Sequence, residues 1–417
     1  PAAGDILRSI QAFASNGGTR WSNSMSPGPP VVEVAVVERA GLGEVLRYFF
    51  RLGCISFGGP AAHISLMRRE LVSEKGWLTD AELMDLLGAA NLIPGPNSTE
   101  LAMHIGAKQA GWRGLWLAGF AFIFPAVAIV LVLAWAYVEY GDTPAGAGLI
   151  LGIQPFILAV IVQAIWGLRT AAVKGWSTAL IALAAVTLAL AGVSQIALIF
   201  GAGVVALLVA LFSGGRRPPS PATIVRKFAR PGLGLLAVMP AGSVSAWDLF
   251  VVFAKIGSVL YGSGYVLAAF LQSDLVDTRH WLTEQQVIDA IAVGQFTPGP
   301  LFTSATFAGY VAGGFPGALA ATAGIFLPSF VLVTITHPLV PRIRGSRWAA
   351  PFLDGVNAAA LALMGVVTLT LGREMLASTF TAALFAVAVV VLLRFRPNSA
   401  WLVLAGALAG LAHAAVS

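Results

Sequence analysis

Long apolar runs, separated by short polar or charged interruptions, set the elements of this chain. Uncharged stretches at residues 114–138 and 143–168 are each long enough for one membrane helix, and the stretch at 175–215 is about twice that length. The last is expected to fold into two helices that turn near Ala191-Gly192-Val193-Ser194. Further uncharged runs follow at 290–336, 355–372, 375–393 and 397–417. Two shorter runs, 52–67 and 256–273, are rich in glycine and bounded by charge. The runs are apolar throughout, without the polar–apolar alternation of an outer-membrane barrel strand, so they predict helices. Residues 1–43 are weakly patterned and are expected to be a mobile tail; Glu33 interrupts their only apolar stretch, which leaves no signal-peptide pattern there.

Composition agrees with the pattern. Of the 417 residues, 58% are hydrophobic and 11% charged, and the mean hydropathy is +0.84. A typical soluble domain carries about 25% charged residues. A soluble globule and a disordered chain are excluded, and the expected class is an all-α polytopic membrane protein, in contact with lipid. Cys54 is the only cysteine, so no intrachain disulfide and no CxxC metal site is expected. Lys+Arg less Asp+Glu is 25 − 19 = +6. In a membrane protein such an excess reports loop orientation, and no nucleic-acid partner is expected.

The chain repeats itself. Residues 57–96 align without a gap onto 261–300, an offset of 204, with ten of forty columns identical. The identities include Leu71-Val72 with Leu275-Val276, Trp77-Leu78-Thr79 with Trp281-Leu282-Thr283, Asp85 with Asp289, and Pro94-Gly95-Pro96 with Pro298-Gly299-Pro300. At an offset of 203, Gly106, Gly111, Gly114, Pro125 and Gly152 then meet Gly309, Gly314, Gly317, Pro328 and Gly355. The expected organisation is a first repeat at 44–212, a basic linker at 213–246 on the cytoplasmic side, and a second repeat at 247–417. With that linker inside, the positive-inside rule places Arg169 and Lys174 inside and Glu139 and Asp142 outside. In the second repeat the loops carrying Arg342, Arg344 and Arg347, and then Arg394 and Arg396, must also be inside, opposite to their repeat partners. The charges therefore predict an inverted repeat with about ten effective crossings, plus broken or re-entrant helices. Asp85 and Asp289 are expected near helix starts, and Trp77 and Trp281 as interfacial anchors.

The candidate chemistry lies at the breaks. Gly58-Gly59-Pro60 in the first repeat is answered by Gly262-Ser263-Gly264, and Pro94-Gly95-Pro96 by Pro298-Gly299-Pro300. Proline removes an N–H and clashes with the preceding turn, so these segments must interrupt helices. Interrupted backbone inside a membrane survives only where protein or water satisfies it, and paired interruptions point to a transporter's central site. The restarting helices offer free N–H groups and a positive dipole end, which suit an anion. His63, Asn97 and Gln295 add side-chain hydrogen-bonding groups, as do Ser98, Thr99, Thr297, Thr303 and Ser304. Helix capping uses the same residue types, and sequence does not separate the two roles. Glu100, His104 and Lys108 are four apart on one helical face, as a coupling relay (Glu100 and His104) or as a salt-bridge ladder ending in a snorkelling lysine. Arg68-Arg69 reads as a solvated charge run. No Gly-Lys dipeptide, HExxH or GxSxG occurs, so neither an ATP-binding loop nor hydrolytic machinery is expected, and no cofactor or metal.

These same residues carry a resemblance. Phe57-Gly58-Gly59-Pro60-Ala61-Ala62-His63, the stretch from Glu70-Leu71-Val72 to Trp77-Leu78, and Pro94-Gly95-Pro96-Asn97 with Gly106, Gly111-Trp112-Arg113-Gly114 and Pro125 resemble the chromate ion transporter family, in its long, two-domain form. The similarity runs from about residue 44 to the C-terminus. Tyr261-Gly262-Ser263-Gly264 departs from the pattern, lacking its second glycine, proline and histidine, so unequal halves are expected. The resemblance implies a secondary carrier that exports chromate and confers resistance. Sulfate is the look-alike oxyanion, and sulfate uptake and a lipid-handling protein are the competing functions. A homodimer is a further expectation.

Overall fold

The computed structural model describes residues 39–57, 59–212, 244–261, 266–339, 348–376, 378–395 and 399–416. Residues 1–38 of the expected 1–43 tail, most of the basic linker, the Gly262-Ser263-Gly264 break, Gly58 and the loop arginines Arg342, Arg344, Arg347 and Arg396 lie outside the described residues; of the tail's last five residues Ala40 is buried and Leu42 already begins a helix. Among those described there are fourteen α-helices and no strand. The fold class is therefore all-α. Five helices are long and apolar enough to cross a membrane, and three shorter apolar helices accompany them. Large apolar side chains such as Phe124, Trp166, Leu183 and Trp401 are exposed on their outer faces, where lipid replaces water.

The helices fall into two sets of seven. The first comprises α1 (Leu42–Ile55), α2 (Gly59–Met67, prolonged by a π-helical turn Arg68–Glu74), α3 (Asp80–Ala90), α4 (Asn97–Tyr140), α5 (Pro144–Ala172), α6 (Trp176–Leu190) and α7 (Gln195–Phe212). The second comprises α8 (Ala246–Val259), α9 (Leu267–Leu271, with a π-helical turn Gln272–Thr278), α10 (Glu284–Phe296), α11 (Ser304–Thr336), α12 (Ala349–Met375), α13 (Thr379–Phe395) and α14 (Ser399–Val416). The turn between α6 and α7 falls at Ala191–Ser194, as the uncharged run at 175–215 required.

Two hairpins open each set. Glu44 pairs with Lys75 at 3.4 Å and Arg51 with Glu70 at 3.1 Å, so α2 runs back along α1. Lys255 and Asp274 repeat the Arg51–Glu70 pair at 2.7 Å. In the second hairpin Lys108 meets Glu82 at 2.5 Å, so the start of α4 runs back along α3. Gln109 ties the hairpin bases together, donating to the Trp77 carbonyl at 2.8 Å and accepting from the Ala40 amide at 3.1 Å. The helix starts are not at Asp85 and Asp289. They are set six residues earlier by capping boxes, in which Thr79 and Thr283 accept from the amides of Glu82 and Gln286 and those side chains reach back. Trp77 is likewise no interfacial anchor: it is buried against Tyr48.

Within α4 the helix is interrupted at Ala110 and Gly111, where Gly111 has φ +62° and ψ −152°. Gly313 and Gly314 interrupt α11 in the same way. The chain folds back there so closely that a Cβ on Gly106 would run into the Gly114 carbonyl, and one on Gly309 into the Gly317 carbonyl. The paired glycine columns of the repeat are thus crossing points where backbones touch.

The two sets interlock. Helix α5 of the first packs against α13 and α14 of the second, while α12 of the second packs against α6 and α7 of the first. Gly152 of α5 sits on Gly406 and Gly410 of α14, and its equivalent Gly355 of α12 sits on Ala202 and Ala206 of α7. Each set therefore lends its last helical pair to the other.

Candidate functional site

The two Pro-Gly-Pro turns and the ends of α1 and α8 converge where the two sets meet. Helix α1 ends at Ser56 and α8 at Leu260, because the following residues take extended backbone. Gly95 adopts φ +140° and Gly299 φ +99°, conformations that glycine accepts and other residues resist. The Gly95 amide donates to the Leu260 carbonyl at 2.7 Å, and the Gly299 amide donates to the Ser56 carbonyl at 2.9 Å. Since Gly95 and Gly299, and Ser56 and Leu260, are repeat equivalents, these bonds are one interaction made twice about a pseudo-two-fold axis. Each Pro-Gly-Pro turn is docked on the end of the other half's first helix, so these glycine amides satisfy backbone in this conformation. At the α4 start, the Thr99 and Glu100 amides return to the Pro96 carbonyl, at 2.8 and 3.1 Å. The amides of Asn97 and Ser98 stand ahead of them, in the first turn, where a helix has no internal acceptor.

Side chains break the symmetry. His63 is fully buried; its Nε2 lies 3.1 Å from the Ser56 carbonyl and its Nδ1 3.1 Å from Ser98 Oγ. A neutral ring that donates to the carbonyl accepts from the serine, so both nitrogens are engaged. His63 clasps the α1 break to the start of α4, and its edge meets the Phe122 ring. Its equivalent, Leu267, offers no such clasp. Asn97 donates to Asn91 at 2.7 Å and keeps its own carbonyl oxygen without a partner. In the second half the hydroxyls turn inward to backbone: Thr297 to Val293 and Thr303 to Pro300, both at 2.9 Å. Gln295 is buried beside this turn, in the last turn of α10 and ahead of Pro298 and Pro300.

Glu100 is the outstanding group of the first half. It is fully buried, and neither carboxylate oxygen has a hydrogen-bond partner. A Cβ on Gly95 would collide with both Glu100 Oε1 and Ser329 Oγ, which places the carboxyl and the α11 hydroxyl against the Pro-Gly-Pro turn. The Ser329 hydroxyl is also without a partner. The repeat equivalents, Thr303 or Ser304 and Ala126, carry no charge. One turn beyond Glu100, His104 Nδ1 lies 3.0 Å from Nδ1 of His337, beyond the end of α11. Lys108 leaves this row for Glu82, so the ladder reading holds for the lysine and not for Glu100 or His104. His337 was not singled out from sequence, because nothing in its local pattern joins it to a residue 233 positions away.

A second buried carboxylate, Asp289, is fully partnered. It accepts from Tyr137 at 2.8 Å, Gln154 at 3.2 Å and Gln285 at 3.0 Å. At the hairpin base, the hydrogen bond from Lys108 holds the Glu82 carboxyl below its ordinary range, and Arg68 does the same for exposed Asp80. Arg68 and Arg69 pair with Asp80, Glu70 and Glu74 as an exposed charge run. Among the described residues no group of three or more His, Cys, Asp or Glu forms a metal cluster.

The comparisons with known proteins follow this geometry. The sequence profile described as chromate transporter matches twice, over residues 43–207 and 247–411. The chromate transport protein of Cupriavidus metallidurans is 33% identical over 402 residues, covering 92% of this chain and 96% of that protein. The chromate transport protein of Pseudomonas aeruginosa is 32% identical over 343 residues, covering 79% and 81%. An uncharacterized transporter of Bacillus subtilis is 30% identical over 130 residues, 31% of this chain and 73% of its own length. No solved structure matches the chain. A profile matched twice across most of the sequence, and two relatives aligned along 92% and 79% of it, make this chain a member of the chromate transporter family, a multi-pass membrane transporter and not an enzyme.

Proposed function

We propose that the protein is a secondary carrier that exports chromate across the cytoplasmic membrane, and so gives chromate resistance. The oxyanion is held where the breaks of the 44–212 and 247–417 repeats meet. The observation that carries this reading is the reciprocal docking of Gly95 on Leu260 and Gly299 on Ser56, which sets interrupted backbone at the centre of an apolar molecule. We assign to it Gly59, Pro60 and His63, with Pro94, Pro96 and Asn97, from the first half, and Gln295, Pro298 and Pro300 from the second. Gly58 and Gly262-Ser263-Gly264, outside the described residues, are assigned to it from their place in the sequence alone. The first-turn amides of α4 face the anion, and His63 positions the turn that carries them. Relatives named as chromate transport proteins supply the substrate.

The halves are read as inverted. Tyr137, at the far end of α4, meets Asp289 in the second half's hairpin, while His337, at the far end of α11, meets His104 in the first half's hairpin. The far end of each half is thus the hairpin side of the other, as an axis lying in the membrane plane requires. Rocking of the two halves about that axis exposes the site to either side in turn. No ATP is needed: a 100 mV potential, negative inside, contributes about 2.3 kcal/mol per charge, or about 4.6 kcal/mol for a dianion leaving alone.

The test is chromate accumulation in everted membrane vesicles. Gly95→Ala is expected to lower accumulation at least about tenfold, because its positive φ and the crowding by Ser329 and Glu100 strain an alanine there by on the order of 1–3 kcal/mol where the anion binds. Undiminished accumulation by the variant inserted at wild-type level overturns the site. Sulfate uptake into intact cells that chromate merely competes with assigns the carrier to the opposite direction.

A further inference from the structure

The mechanism so far leaves one group unused: a fully buried carboxyl, without partners, set against the turn that is to hold a dianion. A charged carboxylate there would be fully buried with only the Ser329 hydroxyl beside it, and would repel the substrate. We propose that Glu100 binds a proton and carries it across together with the oxyanion, so that the protein moves one proton with each dianion. This rests on the central site proposed above.

Three features of the structure argue for it. The first is placement. Glu100 Oε1 and Ser329 Oγ both crowd Gly95, so the carboxyl lies against the turn at which the anion is proposed to bind. A neutral carboxylic acid is a hydrogen-bond donor to an oxyanion; an ionised one is a second negative charge beside it. Proton and anion therefore favour each other, and linkage makes the coupling reciprocal. This sign gives co-transport, not exchange.

The second is asymmetry. The repeat puts Thr303 or Ser304, both uncharged, where Glu100 stands, so the molecule has one such carboxyl and not two. One proton per anion follows from the sequence of the second half.

The third is access. His104 lies one turn along the same helix, buried, with Nδ1 shared with His337 and Nε2 without a partner. His337 is half exposed at the end of α11, so the two imidazoles form a chain from the hairpin side of the first half toward Glu100. The other titratable group that faces the carboxyl is Tyr261, at the end of α8. From α11 it is faced by Ser329 and, beyond it, His337. Among the described residues no lysine or arginine is paired with it; Lys108 is held by Glu82.

The experiment uses the purified full chain in proteoliposomes, with a trapped pH-sensitive dye, a clamped voltage and chromate added outside. Wild type is expected to acidify the lumen as chromate enters. Its chromate flux should fall with rising pH, by about tenfold per unit on the alkaline limb, as one linked proton requires. Glu100→Gln is expected to abolish the acidification and to flatten the pH profile, and Glu100→Asp to restore both in part. His337→Gln should slow the acidification several-fold. Chromate flux without acidification in wild type overturns the inference and leaves the site standing. So does flux that needs sodium and moves no proton. Acidification that persists unchanged in Glu100→Gln also overturns it, because the proton then rides on the anion itself. Failure of wild type to move chromate or sulfate at all overturns the site reading, and this inference with it.

Discussion

Two glycines and a histidine hold the centre together. Gly95 and Gly299 bend the chain so that a proline can precede and follow each, and each spends its amide on the other half. A Cβ on Gly299 would stand 2.8 Å from that of Ala126. Gly299→Ala is expected to destabilise the protein by about 1–3 kcal/mol through the strained φ alone, seen as a lowered melting temperature in detergent. His63→Ala leaves the Ser98 hydroxyl without its acceptor and removes one of two donors from the Ser56 carbonyl. The expected cost is about 1–3 kcal/mol, with chromate binding weakened because the α4 start is no longer clasped. The Pro-Gly-Pro turns were legible in the sequence because each is a rare combination that has one structural meaning and occurs twice at a fixed offset. The clasp was not. The ring's environment depends on Ser98, 35 residues on, and sequence gives the residue type but not which nitrogen is engaged. The pairing of His104 with His337 was hidden for the same reason.

At the level of elements, the capping boxes define where the second hairpin of each half begins. Thr79→Ala and Thr283→Ala are each expected to cost about 1 kcal/mol, measured by thermal unfolding. Both threonines were visible as identical columns, yet the helix start was assigned to Asp85 and Asp289. The pattern Thr-x-x-Glu and Thr-x-x-Gln carried the correct signal, since the residue three positions on completes the box. Asp289 instead faces Tyr137 and Gln154 from the other half, a role no local pattern reveals. The same hairpin base gives a pH effect. The Glu82 carboxyl is held low by Lys108, so its contribution is present above the ordinary carboxylate range and is lost as pH falls through the lowered value. The melting temperature should therefore decline on acidification below about pH 4, and Lys108→Met should reduce that dependence. Gly106→Leu should prevent α4 from closing on itself at Gly114, with loss of folded protein on a detergent column.

For the whole molecule, the repeat predicted two equivalent sets of helices and the glycine columns at which they touch. It did not predict which set each helix would touch. The glycines at 152 and 355 announced a close approach, but the partner surfaces, Gly406-x-x-x-Gly410 and Ala202-x-x-x-Ala206, are small-residue stripes that fit either half equally well. The inverted orientation predicts that cysteines at the equivalent exposed positions Ser73 and Asp277, in a Cys54→Ser background, react with impermeant reagent from opposite faces of the membrane. Labelling of both from one face rules the arrangement out. The exchange of helical pairs predicts that cysteines at Lys174 and Asp354, whose side chains meet at 2.7 Å, cross-link.

That exchange has a consequence for biosynthesis. Helices α6 and α7 leave the ribosome long before α12, the surface they are to cover, has been made. Until then the hairpin can only wait in lipid, and the first domain stays unfinished however much of it has been inserted. Completion is postponed until the chain has passed residue 349 of 417, when α12 arrives to receive one hairpin and α13 and α14 follow to cap α5. A nascent protein truncated before that point carries an unclosed helix surface that membrane quality control can recognise.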